Sequence, residues 1–259
     1  MLTNEKLFVD LRGNCFKFVE AHIDGVKNKI EISKFGCIRF SDEYLSDGII
    51  KNNESTRKII TNFIKKEKIK AKKVYINISH PSIILRIVKV PAMSENDLTD
   101  YLKLEISQYL PIDIETNVYD FKTLETVEEE DKKMISIILA ALPKDIIQNY
   151  TALFKNTKLY PVSVDVYPSS VSKLFGTFED YNLAIFEVNN NEIDFLIIKN
   201  GKLFMYTNVS LENTLNLTVR INEGIDLLMQ EDAVFATAMN EITTYLRTYL
   251  NFFSSKHFG

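Results

Sequence analysis

Few residues in this sequence have the types and spacing that catalysis or metal binding requires. The two cysteines, Cys15 and Cys37, do not form a Cys-x-x-Cys pair, and each lies in a predicted strand. The three histidines, His22, His80 and His257, have no second ligand at the spacing of a zinc site. No Ser/His/Asp signature of nucleophilic catalysis is present. The sequence therefore predicts no metal centre, and its cysteine usage favours a reduced, intracellular protein.

Glycine is scarce, with 8 residues in a chain of 259, where an average composition would supply about 18. No two of these glycines lie within ten residues of each other. Loops that hold phosphate need closely spaced glycines, because the backbone must approach the phosphate and often takes a positive φ. The composition therefore excludes a P-loop NTPase and a dinucleotide-binding enzyme of the usual Rossmann kind.

The charge balance does not indicate a nucleic-acid partner. The chain has 31 basic and 35 acidic residues, for a net charge of −4. Its one basic cluster, residues 65–73, follows a predicted helix, and a helix C-terminus favours cations. The first residues do not resemble a signal peptide, and no apolar run approaches the roughly 20 residues of a membrane-spanning helix. We expect neither nucleic-acid binding nor direct membrane insertion.

The elements that must position any site begin with an antiparallel meander. Alternating apolar residues and turn signals predict a βββαβ unit with a bulge at Gly36, followed by an inserted βαββα unit over 82–158. Ser94 is the predicted N-cap of the inserted unit's first helix. The predicted strands of these two units are 7–11, 15–21, 29–40, 74–79, 83–90, 118–127 and 134–142, and the helices are 54–69, 94–110 and 143–157.

A second meander follows the inserted unit. After a strand over 159–166 and a short helix from Pro168, three more strands are predicted over 182–209, and Asn200-Gly201 is a strong signal for a type I′ turn. Helices are predicted over 212–229 and 233–256. Because both meanders consist of three strands, the pattern indicates an internal duplication. Two duplicated α/β halves are the ground plan of the actin/Hsp70/sugar-kinase superfamily.

Several runs resemble a known family in order and spacing. They include Leu85-Arg86-Ile87-Val88-Lys89-Val90-Pro91-Ala92-Met93-Ser94, and Glu105 to Ile114, which is similar to E-x-x-x-Y-I-P-F-x-I. Further matching runs lie at 140–144, 161–166 and 241–253. Together they resemble the PilM family, the cytoplasmic actin-like component of type IV pilus assembly, which is itself similar to the division protein FtsA.

The resemblance implies an α/β, actin-like fold of ribonuclease H-like duplicated βββαβα halves. On this interpretation residues 1–81 and 159–178 form subdomain IA, and residues 82–158 form an inserted βαββα subdomain 1C. Residues 179–259 form a IIA-like unit with a reduced IIB that lacks the last strand of the family, so the second half is truncated.

The family's nucleotide site is altered in this sequence. Its first phosphate loop, D-I-G-S-S-S-I-K, corresponds to Asp10-Leu11-Arg12-Gly13-Asn14-Cys15-Phe16-Lys17, and Arg12 replaces the first glycine. The second loop, D-I-G, corresponds to residues 187–189, with no glycine. The resemblance therefore implies a vestigial site, with no cofactor and no catalytic residue expected, and ATP with magnesium as the alternative. The residues of this vestigial site are Asp10, Arg12, Gly13, Asn14, Lys17 and Glu187.

The resemblance also implies a docking role for the inserted subdomain. The inserted subdomain resembles the one that, in the PilM family, docks the N-terminal tail of the inner-membrane protein PilN. The expected function is thus a pilus assembly scaffold on the cytoplasmic face of the inner membrane, peripheral to the membrane through its partner and linked to the pilus motor or platform proteins. An unpaired edge of the truncated second half predicts a homodimer. By position, the candidate tail-binding residues are Ile84, Arg86, Val118, Asp120 and Leu124.

Two alternatives stay open at this point. An actin-like ATPase would need Asp10 and Glu187 to position metal and water without the loop glycines. The cytoplasmic domain of the type II secretion protein of the L type has the same plan without nucleotide binding, but it normally continues into a membrane helix. A shift in melting temperature with Mg-ATP would favour the ATPase, because a ligand of the native state stabilises it.

Overall fold

The computed structural model describes residues 5–27, 29–46, 48–129, 131–176, 180–188, 192–211, 218–221, 225–228 and 233–257. The elements of the first unit are β1 (Glu5–Arg12), β2 (Cys15–Asp24), β3 (Lys29–Arg39), β4 (Leu45–Ser46), β5 (Ile49–Ile50), α1 (Asn53–Lys66) and β6 (Lys73–Ile78). The inserted unit contributes β7 (Ile84–Pro91), α2 (Glu95–Tyr109), β8 (Asn117–Glu129), β9 (Lys132–Pro143) and α3 (Lys144–Ala152). The remaining elements are β10 (Tyr160–Val166), α4 (Tyr167–Phe175), β11 (Asn182–Val188), β12 (Glu192–Lys199), β13 (Lys202–Ser210), β14 (Thr218–Ile221), β15 (Ile225–Leu228) and α5 (Ala233–His257).

A five-stranded sheet, ordered β10-β6-β1-β2-β3, carries the first half of the chain. The first three strands pair antiparallel, whereas β6 and β10 run parallel to β1. Helix α1 covers one face of the sheet because its buried residues Ile60 and Ile64 recur at helical spacing. Phe18 meets Phe63 of this helix edge to face, with 4.6 Å between ring centroids. The prediction of α1 is confirmed, although it ends at Lys66 rather than 69.

The predicted bulge at Gly36 is wrong. The register between β2 and β3 shifts at the step from Glu20 to Ala21, which face Lys34 and Ile32, so the extra residue lies between those two positions. Gly36 pairs regularly with Phe18. A Cβ at Gly36 would lie 2.8 Å from Cε1 of the Phe18 ring, so glycine here leaves room for an aromatic side chain and does not mark a break in the ladder.

The inserted unit is a separate antiparallel sheet, ordered β7-β9-β8, with its own apolar core against α2. Ser94 caps α2 as predicted, since its hydroxyl accepts from the backbone N–H of Asp97 at 3.3 Å. Helix α3 ends at Ala152, short of the predicted residue 157. The following residues form tight turns, and Asn156 takes a φ of +64°, which an α-helix does not allow.

The second meander is the three-stranded sheet β11-β12-β13. Its central strand β12 is buried along almost its whole length. Asn200 and Gly201 take φ values of +50° and +70°, which confirms the predicted type I′ turn. Helix α5 packs on this sheet, where Tyr249 stacks on Phe195 at 5.4 Å between ring centroids.

The predicted helix over 212–229 is wrong where the structure describes it. Residues 218–221 and 225–228 form the antiparallel pair β14–β15. Thr218, Val219 and Ile221 are β-branched, and their restricted χ1 angles favour a strand over a helix. Residues 212–217, 222–224 and 229 of that prediction lie outside the described residues. Among the described helices, none combines the length and the apolar character needed to span a bilayer.

Candidate functional site

Arg12 is the centre of a buried charge cluster at the carboxyl end of β1. Its side chain is only 2% exposed. One guanidinium nitrogen, Nη1, donates to Oε1 of Glu187 on β11. The other, Nη2, donates to Oδ2 of Asp194 on β12 at 2.5 Å. Because β1 belongs to the first sheet and β11–β12 to the second, Arg12 joins the two meanders.

Three further groups complete the cluster. The guanidinium lies over the ring of Tyr167 at the start of α4, with 3.5 Å from Cζ to the ring centroid, and the Tyr167 hydroxyl donates to Glu187. The hydroxyl of Tyr206 and the amide of Asn208, both on β13, donate to Oδ1 of Asp194 at 2.8 and 3.0 Å. A second carboxylate of β12, that of Glu192, lies 3.7 Å from Arg12 Nε. We call these residues, Arg12, Tyr167, Glu187, Glu192, Asp194, Tyr206 and Asn208, the Arg12 cluster.

The ionisation of the cluster follows from burial and charge. Burial disfavours the charged form of Arg12, but the carboxylates of Asp194 and Glu187 outweigh it and raise the pKa of the guanidinium above its ordinary value. For Glu187, burial is opposed by Arg12 and the Tyr167 hydroxyl, and the net pKa is lowered. For Asp194, burial is the larger effect, and its pKa is raised in spite of Arg12. The cluster therefore contains one cation and three carboxyls, and the pKa values of Glu187 and Asp194 are shifted in opposite directions.

The other residues of the predicted nucleotide site are placed around this cluster but not within it. The Asp10 carboxylate accepts a hydrogen bond at 2.8 Å from the side-chain amide of Asn77 on the neighbouring strand β6. Gly13 takes a φ of +56°. The Asn14 side chain donates to Asp42 at 3.3 Å, away from Glu187. The charge of Lys17 helps to lower the pKa of Glu187. The structure thus brings Arg12 and Glu187 into contact and leaves Asp10 and Asn14 with other partners.

Sequence reasoning missed Glu192, Asp194, Tyr167 and the β13 residues of the cluster. One signal was available: Glu192 and Asp194 are two acids at alternate positions of a strand whose residues 193 and 195–198 are all apolar. Such acids share one face of the strand, and if buried they require cationic or donor partners. The identity of those partners depends on contacts 182 residues apart in the case of Asp194, which a local pattern does not contain.

A groove of about 980 Å³ lies beside the inserted unit. Strands β8 and β10 both line it, and within the described part of the chain each pairs with a neighbour on one side only. Helix α4 and the β12–β13 turn close its other walls. The lining residues are Leu85, residues 118–124, Ile138, residues 140–142, Ile147, residues 164–166, Ser169, Ser172, Lys173, Gly176 and residues 200–203.

The charged groups of the groove wall are largely engaged in ion pairs. Lys173 of α4 contacts Asp165 at 2.5 Å, and Lys202 at the start of β13 contacts Glu125 of β8 at 2.7 Å. The second pair connects the inserted unit to the second meander. The rest of the wall is mixed, with apolar side chains and the charged Asp120 and Lys122, and Val118 is 37% exposed. The groove thus offers backbone hydrogen-bonding groups, apolar side chains and charged side chains.

Of the predicted tail-binding residues, Val118, Asp120 and Leu124 line the groove. Ile84 packs against the core of the inserted unit instead. Arg86 donates to the backbone carbonyl of Tyr109 at 3.3 Å. The alternation of β7 explains the difference, because Leu85 points to the groove and its two neighbours therefore point to the opposite face.

A protein-family model and several solved structures resemble this chain over most of its length. The family described as type IV pilus assembly protein PilM matches residues 9–233. The structure of a PilM–PilN type IV pilus biogenesis complex has a TM-score of 0.68 at 18% identity, covering 82% of this chain and 62% of that one. This chain therefore spans less than two thirds of that relative's length.

Two further solved structures are less similar. The cytoplasmic domain of EpsL, an inner-membrane component of the Vibrio cholerae type II secretion system, has a TM-score of 0.46 at 11% identity, covering 80% of this chain and 71% of that one. A Bacteroides thetaiotaomicron protein with an actin-like ATPase fold has a TM-score of 0.44 at 12% identity, covering 81% and 71%. The predicted actin-like α/β fold is confirmed. With the match over 9–233, the chain belongs to the type IV pilus assembly protein PilM family.

Proposed function

We propose that this chain is a pilus assembly scaffold whose groove binds the extended N-terminal tail of a PilN-like inner-membrane protein. The observation that carries the proposal is the presence of two strands, β8 and β10, along one groove, each with a single strand neighbour among the described residues. An extended peptide can pair its backbone with such an edge, while apolar pockets select alternate side chains. The likeness to a PilM–PilN complex supports this choice of partner.

The groove chemistry favours an extended apolar segment over a helix or a folded domain. The lining side chains Leu85, Val118 and Ile138 are apolar, and the lining lysines Lys173 and Lys202 are already held in ion pairs. A peptide that buried apolar side chains against the apolar residues would leave both ion pairs in place. Binding would then depend on backbone pairing and apolar burial, and salt would weaken it only slightly.

Titration of a peptide with the sequence of the PilN-like tail tests the proposal. Val118→Glu places a charge at the groove edge, at a position exposed enough to tolerate it, and we expect at least about a tenfold weaker Kd. The matched control is Ile30→Glu on β3, where a similar side chain is 65% exposed and distant from the groove. Arg86→Ala should leave Kd unchanged. Equal effects of the Val118 and Ile30 substitutions would contradict the proposal.

We also infer that the scaffold works without bound nucleotide and without catalysis. A phosphate group needs backbone N–H donors and space at the first loop. Arg12 stands at the position of the family's first loop glycine, and its guanidinium is engaged by Glu187 and Asp194. Carboxylates outnumber cations in this cluster, so the residues do not fit the phosphates of Mg-ATP.

Thermal unfolding with and without Mg-ATP tests this inference. At millimolar nucleotide we expect no increase in Tm beyond that produced by Mg²⁺ with an equal concentration of inorganic phosphate. A ligand at 100 times its Kd would stabilise the native state by about 2.7 kcal/mol. A dose-dependent rise in Tm that is specific to ATP would therefore refute the inference, whatever the outcome of the peptide titration.

Three further expectations concern membrane attachment, the link to the pilus motor and self-association. Attachment to the cytoplasmic face of the inner membrane would follow from capture of a PilN-like tail. A link to the pilus motor or platform proteins, and a homodimer through the second half, stay predictions. Light scattering at tens of micromolar would test the homodimer, and a monomeric mass would count against it.

A further inference from the structure

The only two cysteines of the chain lie next to each other on the first sheet. In the β2–β3 pairing Cys15 lies directly opposite Arg39, and Cys37 lies directly opposite Lys17. Opposed residues share a face, and so do residues two apart on one strand. Cys15 and Cys37 are therefore diagonal neighbours on one face of the sheet. Both are free thiols, Cys15 half-buried and Cys37 exposed, and the Cys15 thiol donates to the side-chain oxygen of Asn14 at 3.6 Å.

The surroundings make the two thiols unequal. The neighbouring Cys37 thiol lowers the pKa of Cys15, and the nearby Arg39 and Lys17 act in the same direction against the effect of burial. Strand β2 pairs with β1 on its other side, and there Arg12 lies directly opposite Cys15. For Cys37 the neighbouring Cys15 thiol and burial raise the pKa. Cys15 lies directly opposite Arg39 and two residues from Lys17, and cations next to a thiol favour the reactive thiolate.

We propose that Cys15 and Cys37 form a reversible disulfide under oxidising conditions, with Cys15 as the attacking thiol and Cys37 as the resolving thiol. With hydrogen peroxide, the Cys15 thiolate attacks one oxygen, the O–O bond breaks, and the hydroxide released takes a proton to give water and a sulfenic acid. The Cys37 sulfur then attacks the Cys15 sulfur. The S–O bond breaks, the S–S bond forms, and the leaving hydroxide takes the Cys37 proton as a second water.

The strand geometry indicates a reducible bond and not a structural one. Diagonal neighbours across an antiparallel pair lie about 7–8 Å apart at Cα, whereas disulfides usually join Cα atoms about 4.4–6.8 Å apart. Closing the bond requires a small movement of β3, which among the described residues pairs only with β2. A bond formed under such constraint is more easily reduced, as expected of a redox-responsive pair.

The position of the pair gives the bond a structural consequence. Cys15 follows the Gly13–Asn14 turn directly, and the carbonyl of Asn14 accepts from the backbone N–H of Phe40 at 2.8 Å. A disulfide would therefore fix β3 to the segment that carries Arg12. Oxidation would thus restrain the strands next to the Arg12 cluster, and the new bond would lie outside the groove.

Mass spectrometry of the intact chain tests the proposal. After treatment with stoichiometric hydrogen peroxide, we expect loss of two hydrogens, simultaneous loss of both iodoacetamide-reactive thiols, and recovery of both with dithiothreitol. Before oxidation, Cys15 should be alkylated ahead of Cys37, with a pH midpoint below the value near 8.5 of a free cysteine. In denaturing urea the two thiols should react at equal rates.

Matched serine variants separate the two roles. Cys37→Ser should accumulate a sulfenic acid at Cys15 that dimedone traps, because the resolving thiol is absent. Cys15→Ser should leave Cys37 largely unmodified at the same peroxide concentration. Separate oxygen adducts on both cysteines, disulfides only between chains, or equal alkylation rates in the native protein would overturn the proposal. These readouts are covalent and do not depend on a partner tail.

Discussion

Replacing Arg12 with methionine should destabilise the protein strongly. Methionine keeps much of the side-chain length but removes the charge that Glu187 and Asp194 share. Removing one partner of a buried ion pair costs about 3–5 kcal/mol, because the other charge stays buried. The Glu187 side chain is 35% exposed, so solvent screens part of the loss, and we expect about 3 kcal/mol. That corresponds to a fall in Tm of about 6–12 °C for a chain of this size.

The stability lost in Arg12→Met should be greater at neutral pH than at acidic pH. In the parent protein the lowered pKa of Glu187 contributes stability above its ordinary pKa, and this is lost as pH falls through the folded value. The raised pKa of Asp194 acts oppositely, since ionising it as pH rises costs stability. Without Arg12, both carboxyls would bind protons more readily in the folded state. The deficit of Arg12→Met should therefore be larger at pH 7 than at about pH 4.5.

Urea denaturation followed by circular dichroism at these two pH values measures both effects. Arg247→Met is the matched control, because Arg247 is an exposed arginine of α5, and surface substitutions usually change stability by less than about 0.5 kcal/mol. A deficit for Arg12→Met below about 1 kcal/mol at pH 7, or one that does not change with pH, would refute the assignment of Arg12 as a buried, charge-paired residue.

Two further substitutions follow from close contacts. Gly48 has a φ of +71°, and a Cβ there would lie 2.1 Å from the carbonyl oxygen of Ser79, so Gly48→Ala should lower the free energy of unfolding by more than about 2 kcal/mol in urea denaturation; parent-like stability would contradict the close approach. Tyr167→Phe keeps the ring over Arg12 but removes the hydroxyl that donates to Glu187, so the same measurement should give a loss of about 1 kcal/mol, clearly smaller than that of Arg12→Met.

The local parts of the fold could be predicted from the sequence. Asn200-Gly201 identified a tight hairpin because few other residues accept two consecutive positive φ angles. Ser94 identified the start of α2 because its hydroxyl satisfies a free backbone N–H. These signals act over two to four residues, and the printed sequence contains all of the information that they need.

Most of the wrong or incomplete predictions concern features that depend on contacts between residues far apart in the sequence. Gly36 resembled a bulge in the sequence, but the Phe18 ring beside it is the reason for glycine. The helix predicted over 218–221 is a local exception, because these residues pair with the nearby 225–228 and include β-branched types that favour a strand. Arg12 could be identified as an altered loop residue, yet its partner Asp194 lies 182 residues away. Side-chain periodicity gives the face of a strand but not what covers that face.

The Arg12 cluster has a consequence for the order in which this chain folds during synthesis. Arg12 leaves the ribosome early, whereas Glu187 and Asp194 follow 175 and 182 residues later. At about 5–20 residues per second, that interval is on the order of 10–35 seconds. During this time the first sheet can form its own core, but its guanidinium has no carboxylate partner from the second meander. The nascent first half thus carries the Arg12 guanidinium without its carboxylate partners Glu187 and Asp194, and its docking onto the second meander waits for translation of β12.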